Sequence, residues 1–190
     1  MSRFSQWSSP DVSAVRVWMP LVAAVTAAFF CVSRQAKAQE AGIAVGAHAP
    51  GAAVESLEGK PLDLSQYIGT KPVVLEFWAT WCPLCKKLEP ALQAARDKYG
   101  DRVSFVSVGV NNNQTPDKQK AYVEEKHIGG NFVFDRDGKA VAAYKAPHTS
   151  YLVVIDGDGK VVYTGVGPTQ DVDGAVSKAF AMGRMELEGR

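Results

Sequence analysis

The chain has 190 residues, with 21 Lys and Arg against 20 Asp and Glu, and so a formal charge of +1 at pH 7. No block of basic residues and no fixed internal period interrupts it, which removes the electrostatic ground for a nucleic-acid partner and excludes a repeat architecture. Its first segment is apolar: "VWMPLVAAVTAAFFCV", residues 17–32, is sixteen residues without a formal charge, between Arg16 and "SRQAKAQ". That is close to the short limit for spanning a bilayer, and the flanks suit a secretory signal, with Ala36, Lys37 and Ala38 as a small-x-small cleavage pattern. Residues 1–38 are therefore expected to be a signal peptide cleaved after Ala38, or else a retained anchor. Either way the remainder is exported, to the periplasm or the outer face of the inner membrane. Cys31 belongs to the apolar run, because Ala28, Phe29 and Phe30 before it are not the residues of a lipoprotein signal.

Without residues 1–38, 152 residues are left, enough for one domain with a proper core. The leader holds Arg3, Arg16, Arg34, Lys37 and Asp11, so 17 basic residues then stand against 19 acidic ones. Residues 39–49 read as a linker and 50–190 as the domain. In chain order, "AAVESLEGKPLDL" predicts two short strands around a turn at Glu58, Gly59 and Lys60, and "PVVLEFWA" a buried strand. A helix follows from about Cys82 to Tyr99, with Leu84, Leu88, Leu92 and Ala95 on one face and Gly100 as its stop. "RVSFVSVGV" predicts a second central strand, and "TPDKQKAYVEEKH" a polar helix opened by Thr115 and Pro116. "NFVFD" is a short strand and "AVAAYK" a short helix. "YLVVID" and "KVVYTGV" flank Asp-Gly-Asp-Gly as a hairpin, and "DVDGAVSKAFAMG" closes the chain as a helix. This order predicts an α/β fold with a mixed central sheet flanked by helices.

Beyond residue 38 the only thiols are Cys82 and Cys85. Their partners can be each other, another molecule or a metal. A bond between them would close a minimal loop and stabilise the fold little, so the pattern points to chemistry. Cys82 stands at a predicted helix N-terminus, where free N–H groups and the helix dipole favour a thiolate. Pro83 fits the first turn, which needs no donor there. Cys85, three residues on, faces the same side and is placed to attack a mixed disulfide at Cys82. Pro90 removes a hydrogen bond to the Lys86 carbonyl and predicts a kink.

The phrase "FWATWCPLCKKLEPAL" pairs a tryptophan with a cysteine, then a second cysteine after two residues, and a proline eight residues after the first. It resembles the thioredoxin superfamily motif, in particular the extracytoplasmic TlpA/ResA-type branch. The resemblance runs from about Gly46 to the end and includes the leading segment "ESLEGKPLDLSQYIGTKPVVLEF". It implies a thioredoxin-like fold with an added N-terminal β-hairpin, and a thiol:disulfide oxidoreductase with Cys82 as nucleophile and Cys85 as resolving thiol. Pro83 and Leu84 would help to set the redox potential. Glu76 falls where thioredoxins keep a buried acid that relays the proton of the second cysteine, and desolvation there would raise its pKa. The alternative is a Glu76 that pairs with a lysine or faces water. ResA-like proteins often carry an acid three positions after the second cysteine, where this chain has Leu88; Glu89 lies four after, and that role stays unassigned. Trp81 is expected to cap the sulfur and dock partners, and Trp78 to pack in the core.

The same resemblance implies no cofactor beyond the redox-active pair and a disulfide-containing client protein, with apocytochrome c or copper-centre assembly proteins as candidates. An oxidising compartment would keep the pair oxidised, so a reductant role further implies a membrane electron donor of DsbD/CcdA type. Nothing in the sequence sets an oligomeric state. Pro147, in "YKAPHTSYLVVIDGDGK", is the candidate for the family's cis-proline facing the cysteines. It stands nine residues before Asp156, about three more than the commonest spacing of the branch. Either a loop is inserted, the reading preferred here, or the cis position is lost. His148 in the same run looks like the region of Sco-type copper proteins where a histidine joins two cysteines. A Cu(I) metallochaperone using Cys82, Cys85 and His148 is therefore the alternative function, although Sco proteins place three residues between their cysteines. A third reading is a binding module that kept the fold without turnover. His48 and His127 show no zinc-like spacing and read as surface residues. The two Asp-x-Asp-Gly fragments lack the rest of a calcium loop and read as turns, and Asn111, Asn112 and Asn113 as a loop without a role.

Overall fold

Gly59, with φ of 80°, closes the turn that folds β1 (Ala53–Ser56) onto β2 (Pro61–Asp63), and the Ser56 hydroxyl accepts the Glu58 and Lys60 amides inside it. The structure, a computed structural model, describes residues 42–188. The expected leader, with Cys31 and the apolar run at 17–32, lies outside the described residues. β3 (Val73–Trp78) is buried at every position, and β4 (Ser104–Val110) at all but its last. With β5 (Asn131–Asp135), β6 (Tyr151–Ile155) and β7 (Val161–Val166) they build one sheet in the order β2-β1-β5-β4-β3-β6-β7. β3, β4 and β5 pair in parallel and every other pair is antiparallel. The mixed sheet and the added hairpin are as the sequence predicts.

Parallel neighbours need crossovers. α1 (Pro83–Tyr99) carries the chain from β3 to β4, and α2 (Pro116–Lys126) from β4 to β5. α3 (Lys139–Ala143) precedes β6, and α4 (Val172–Glu188) follows β7. Strand alternation sorts β3 between two cores. Val73, Leu75 and Phe77 pack with Val106, Tyr144 and Val153 on one face. Val74 packs with Leu88, Leu92 and Val176 under α1 and α4 on the other. Glu76 shares the parity of Val74, so its carboxyl points to the α1 side. α2 packs closely over β4 at Gly109, where a Cβ would collide with the buried Gln119 amide.

α1 begins at its N-cap Cys82 and ends at Gly100, whose φ of 53° suits a residue without Cβ. Its buried stripe is Cys85, Leu88, Leu92, Ala95 and Tyr99. Leu84, expected on that face, is exposed instead, because Cys85 starts the stripe. The helix runs through Pro90, which lies on its exposed side. The expected linker is corrected over its described part: Ile43 is buried, and the amides of Gly46 and Ala49 donate to the Val161 and Gly159 carbonyls at 2.7 and 2.8 Å. An apolar side chain and free backbone groups beside β7 dock this segment. Among the described residues no helix is long and apolar enough to cross a membrane.

Candidate active site

The C-terminal end of β3 delivers the two cysteines. After Trp78 the chain turns, with the Cys82 amide donating to the Ala79 carbonyl at 3.0 Å, and α1 starts. Cys82, extended at φ −77° and ψ 111°, caps the helix: the Cys85 amide donates to its Sγ at 3.1 Å, and the Lys86 amide to its carbonyl at 3.3 Å. The two cysteines form a disulfide with Cα atoms 5.4 Å apart. When the bond is reduced, that amide and the N-terminal end of the helix dipole favour a thiolate at Cys82. In the disulfide form Cys82 is only 1% and Cys85 6% exposed. Pro83 stands in the first turn and Leu84 is exposed beside it.

Trp81 is 43% exposed and its indole N–H donates to the Asn112 carbonyl at 2.8 Å. Trp78 is core, as expected, between the Tyr122 and Phe132 rings. The loop that carries Asn112 also carries Gln114, which sequence reasoning missed. Its Oε1 accepts the Thr80 amide at 3.0 Å, and its Nε2 donates to the Val110 carbonyl at 2.5 Å and the Trp78 carbonyl at 3.4 Å. One buried amide thus ties the chain before Cys82 to the end of β4. The available signal was only its place, just after a strand that ends beside the cysteines.

Trp81, Asn111, Asn112, Pro147, His148 and Thr149 line an open groove of about 480 Å³. Pro147 therefore reaches the active-site face, but the bond before it is trans, as no described peptide bond is cis. Three residues nearer β6, at the commoner spacing, stands Ser150. It is buried with φ of 61°, and its amide donates to the Phe77 carbonyl at 2.8 Å. Proline has neither that φ nor that N–H, so this turn excludes it. His148 is exposed on the groove, and among the described residues no three potential ligands gather, so the copper set of the alternative reading, Cys82, Cys85 and His148, is not brought together.

Behind the disulfide, Glu76 is 4% exposed and its Oε1 has no hydrogen-bond partner. It makes no salt bridge and is out of water, which removes the alternative readings of this side chain. Together with Trp78, Cys85, Lys86, Glu89 and Tyr122 it lines a cavity of about 20 Å³. Burial pushes its carboxyl up to about 8; the Glu89 charge pushes the same way, and the Arg96 guanidinium pulls down. Glu89 itself pairs with Arg96 Nη1 at 2.6 Å.

A disulfide at a helix N-terminus, carried by the central strand of a mixed sheet with a buried carboxyl behind it, defines a thioredoxin-like dithiol exchange protein. Residues 44–182 match the model of the Redoxin family, and the chain belongs to that family. It is 32% identical over 143 residues to thiol-disulfide oxidoreductase ResA of Geobacillus thermodenitrificans, covering 70% of this chain and 77% of that protein. It is 29% identical over 124 residues to ResA of Bacillus thuringiensis subsp. konkukian, covering 65% and 70%. Among solved structures it resembles a secreted Mycobacterium tuberculosis disulfide oxidoreductase homologous to E. coli DsbE, with 26% identity and a TM-score of 0.57 over 68% of this chain and 94% of that one. A putative thiol:disulfide interchange protein DsbE from Chlorobium tepidum, at 23% identity and TM-score 0.62 over 74% and 97%, shares the fold. The activity class is that of a thioredoxin-like thiol-disulfide oxidoreductase of ResA type.

Proposed function

We propose that this chain is an exported dithiol reductant in which Cys82 attacks and Cys85 resolves. The Cys82 thiolate bonds to one sulfur of a client disulfide, and the other client sulfur leaves as a thiolate. Cys85 then gives its proton to the Glu76 carboxylate and attacks Cys82 Sγ, releasing the second client sulfur. The client gains two electrons and the Cys82–Cys85 pair loses two. In the disulfide state Glu76, with a pKa of about 8, holds a proton at neutral pH. It can return that proton to Cys85 when a donor thiol reopens the bond. No bound cofactor takes part; the dithiol is the redox centre.

The single observation that carries this reading is the Cys85 amide, aimed at Cys82 Sγ from the first turn of α1 at 3.1 Å. Residues 1–38 would export the domain by a cleaved signal or a retained anchor. The clients would be apocytochrome c or copper-centre assembly proteins, re-reduction coming from a membrane donor of DsbD/CcdA type. Trp81, Pro147 and His148 would receive the client along the open groove. The test is the equilibrium reduction potential of the pair. A value below about −200 mV supports a dedicated reductant, and one near −120 mV, the oxidant end of the scale, reverses the proposed direction.

A further inference from the structure

Cys85 must lose its proton while a client still covers the Cys82 face. The groove on that face and the cavity of Glu76 share no lining residue. The cavity borders instead on a second open groove, of about 300 Å³, between α1 and α2. Lys86, Glu89, Tyr122 and Ile128 line both. Glu89 therefore stands in the wall between the buried carboxyl and solvent, with its side chain 27% exposed. Its position is held from behind by Arg96, which is 9% exposed and also donates to Gln93 Oε1 at 3.3 Å and lies over the Phe105 ring.

We propose that Glu89 is a positioning residue for proton transfer, through which the proton that Cys85 gives to Glu76 leaves between α1 and α2, away from the docked client. The inference rests on the reading of Glu76 as acceptor of the Cys85 proton. The cavity is large enough for one water molecule, and Glu76 and Glu89 both line it. The groups that face Glu76 are few. α1 presents Cys85, Lys86 and Glu89, with Arg96 behind Glu89, and α2 presents Tyr122. The flanking strands set Ser107 and Leu152 opposite Glu76 and add no charge. Glu89 and Arg96 are the charges that bear on the Glu76 carboxyl, in opposite directions. Burial keeps Glu76 basic enough to take the thiol proton, the opposed charges of Glu89 and Arg96 adjust that only secondarily, and Glu89 offers the proton a path outward.

The test uses the reduced full-length chain carrying Cys31→Ser throughout, so that Cys82 and Cys85 are its thiols, and the aromatic disulfide dithiobis(nitrobenzoate), which releases one coloured thionitrobenzoate when Cys82 attacks and a second when Cys85 resolves. Each turnover moves two electrons to the reagent, and only the second release needs the Cys85 proton to depart. In wild type the second release is expected to rise with pH through the titration of Glu76. In Glu89→Gln its plateau should fall about tenfold and its midpoint should move to lower pH, because a raising charge is gone, while the first release still occurs. Glu89→Asp, which keeps the carboxylate, should recover most of the rate. Equal second-release plateaus in wild type and Glu89→Gln overturn the inference, as does a loss in Glu89→Asp as large as in Glu89→Gln. A wild-type chain that shows no release from Cys82 sinks the reductase reading itself, so the two failures are separable.

Discussion

Two of the buried carboxyls of this protein, Asp156 and Glu76, are almost equally hidden from water, and only the first has an oxygen occupied by backbone amides. Asp156, 1% exposed at the end of β6, spends its Oδ1 on the Asp158 and Lys160 amides at 3.0 and 2.8 Å and closes the turn into β7. Glu76, 4% exposed in the sheet, has an oxygen without a partner, a cavity before it and Cys85 of the disulfide lining the same cavity. Burial is the same; satisfaction is not. A buried carboxyl that accepts backbone amides has its hydrogen-bonding capacity met and serves as structure. One that is desolvated without donors prefers its proton, and so can trade that proton with a neighbour.

The largest test of this contrast is Glu76→Gln. Wild-type oxidised protein has a Glu76 pKa of about 8 when folded, against 4.5 for the free side chain. Between those values the unfolded chain ionises and the folded one keeps its proton, so stability falls as pH rises through the window and levels off above it. Glu76→Gln should remove that slope and raise stability at pH 8.5 by roughly 3–5 kcal/mol, read from urea unfolding at pH 4.5 and 8.5. A wild-type curve that is flat across the window would break the comparison. Asp156→Ala should do the opposite, costing about 2–4 kcal/mol for two lost charge-assisted hydrogen bonds while leaving the thiol chemistry in place. Equilibrium unfolding and dithiobis(nitrobenzoate) reduction on the same sample separate the two effects. Gln114→Ala is the mildest, about 1–3 kcal/mol, and should speed hydrogen exchange at the Thr80 amide, which loses its acceptor in the Gln114 side chain. An unchanged exchange rate at Thr80 would show that the loop before Cys82 needs no such tie.

Much of this was readable along the chain. The strand of six buried residues at β3, the capped helix after it and the β6–β7 hairpin each carry a local signal: β-branched runs, a proline in the first turn, a paired Asp-Gly. Cys82 and Cys85 were legible because a three-residue spacing on a helix is a statement about distance. Leu84 was misplaced because apolar character says nothing about which of two adjacent residues begins the buried stripe. The role of Pro147 as a cis-proline failed for a similar reason. Spacing to Asp156 located the strand, but not the left-handed turn at Ser150 that a hydrogen bond to Phe77 imposes. Residues 42–49 read as a linker because docking on β7 uses backbone groups, which no side-chain pattern reports.

By itself, then, the sequence determined the element order, the dithiol and its place at a helix start, since each depends on residues within one turn or one strand of each other. Only the tertiary structure decided that a buried oxygen of Glu76 lacks a partner, that Glu89 lines both its cavity and the outer groove, and that Gln114 fastens the loop before Cys82. Those facts depend on contacts between segments up to dozens of residues apart, and desolvation is a property of the packed surroundings rather than of any residue's neighbours in the chain.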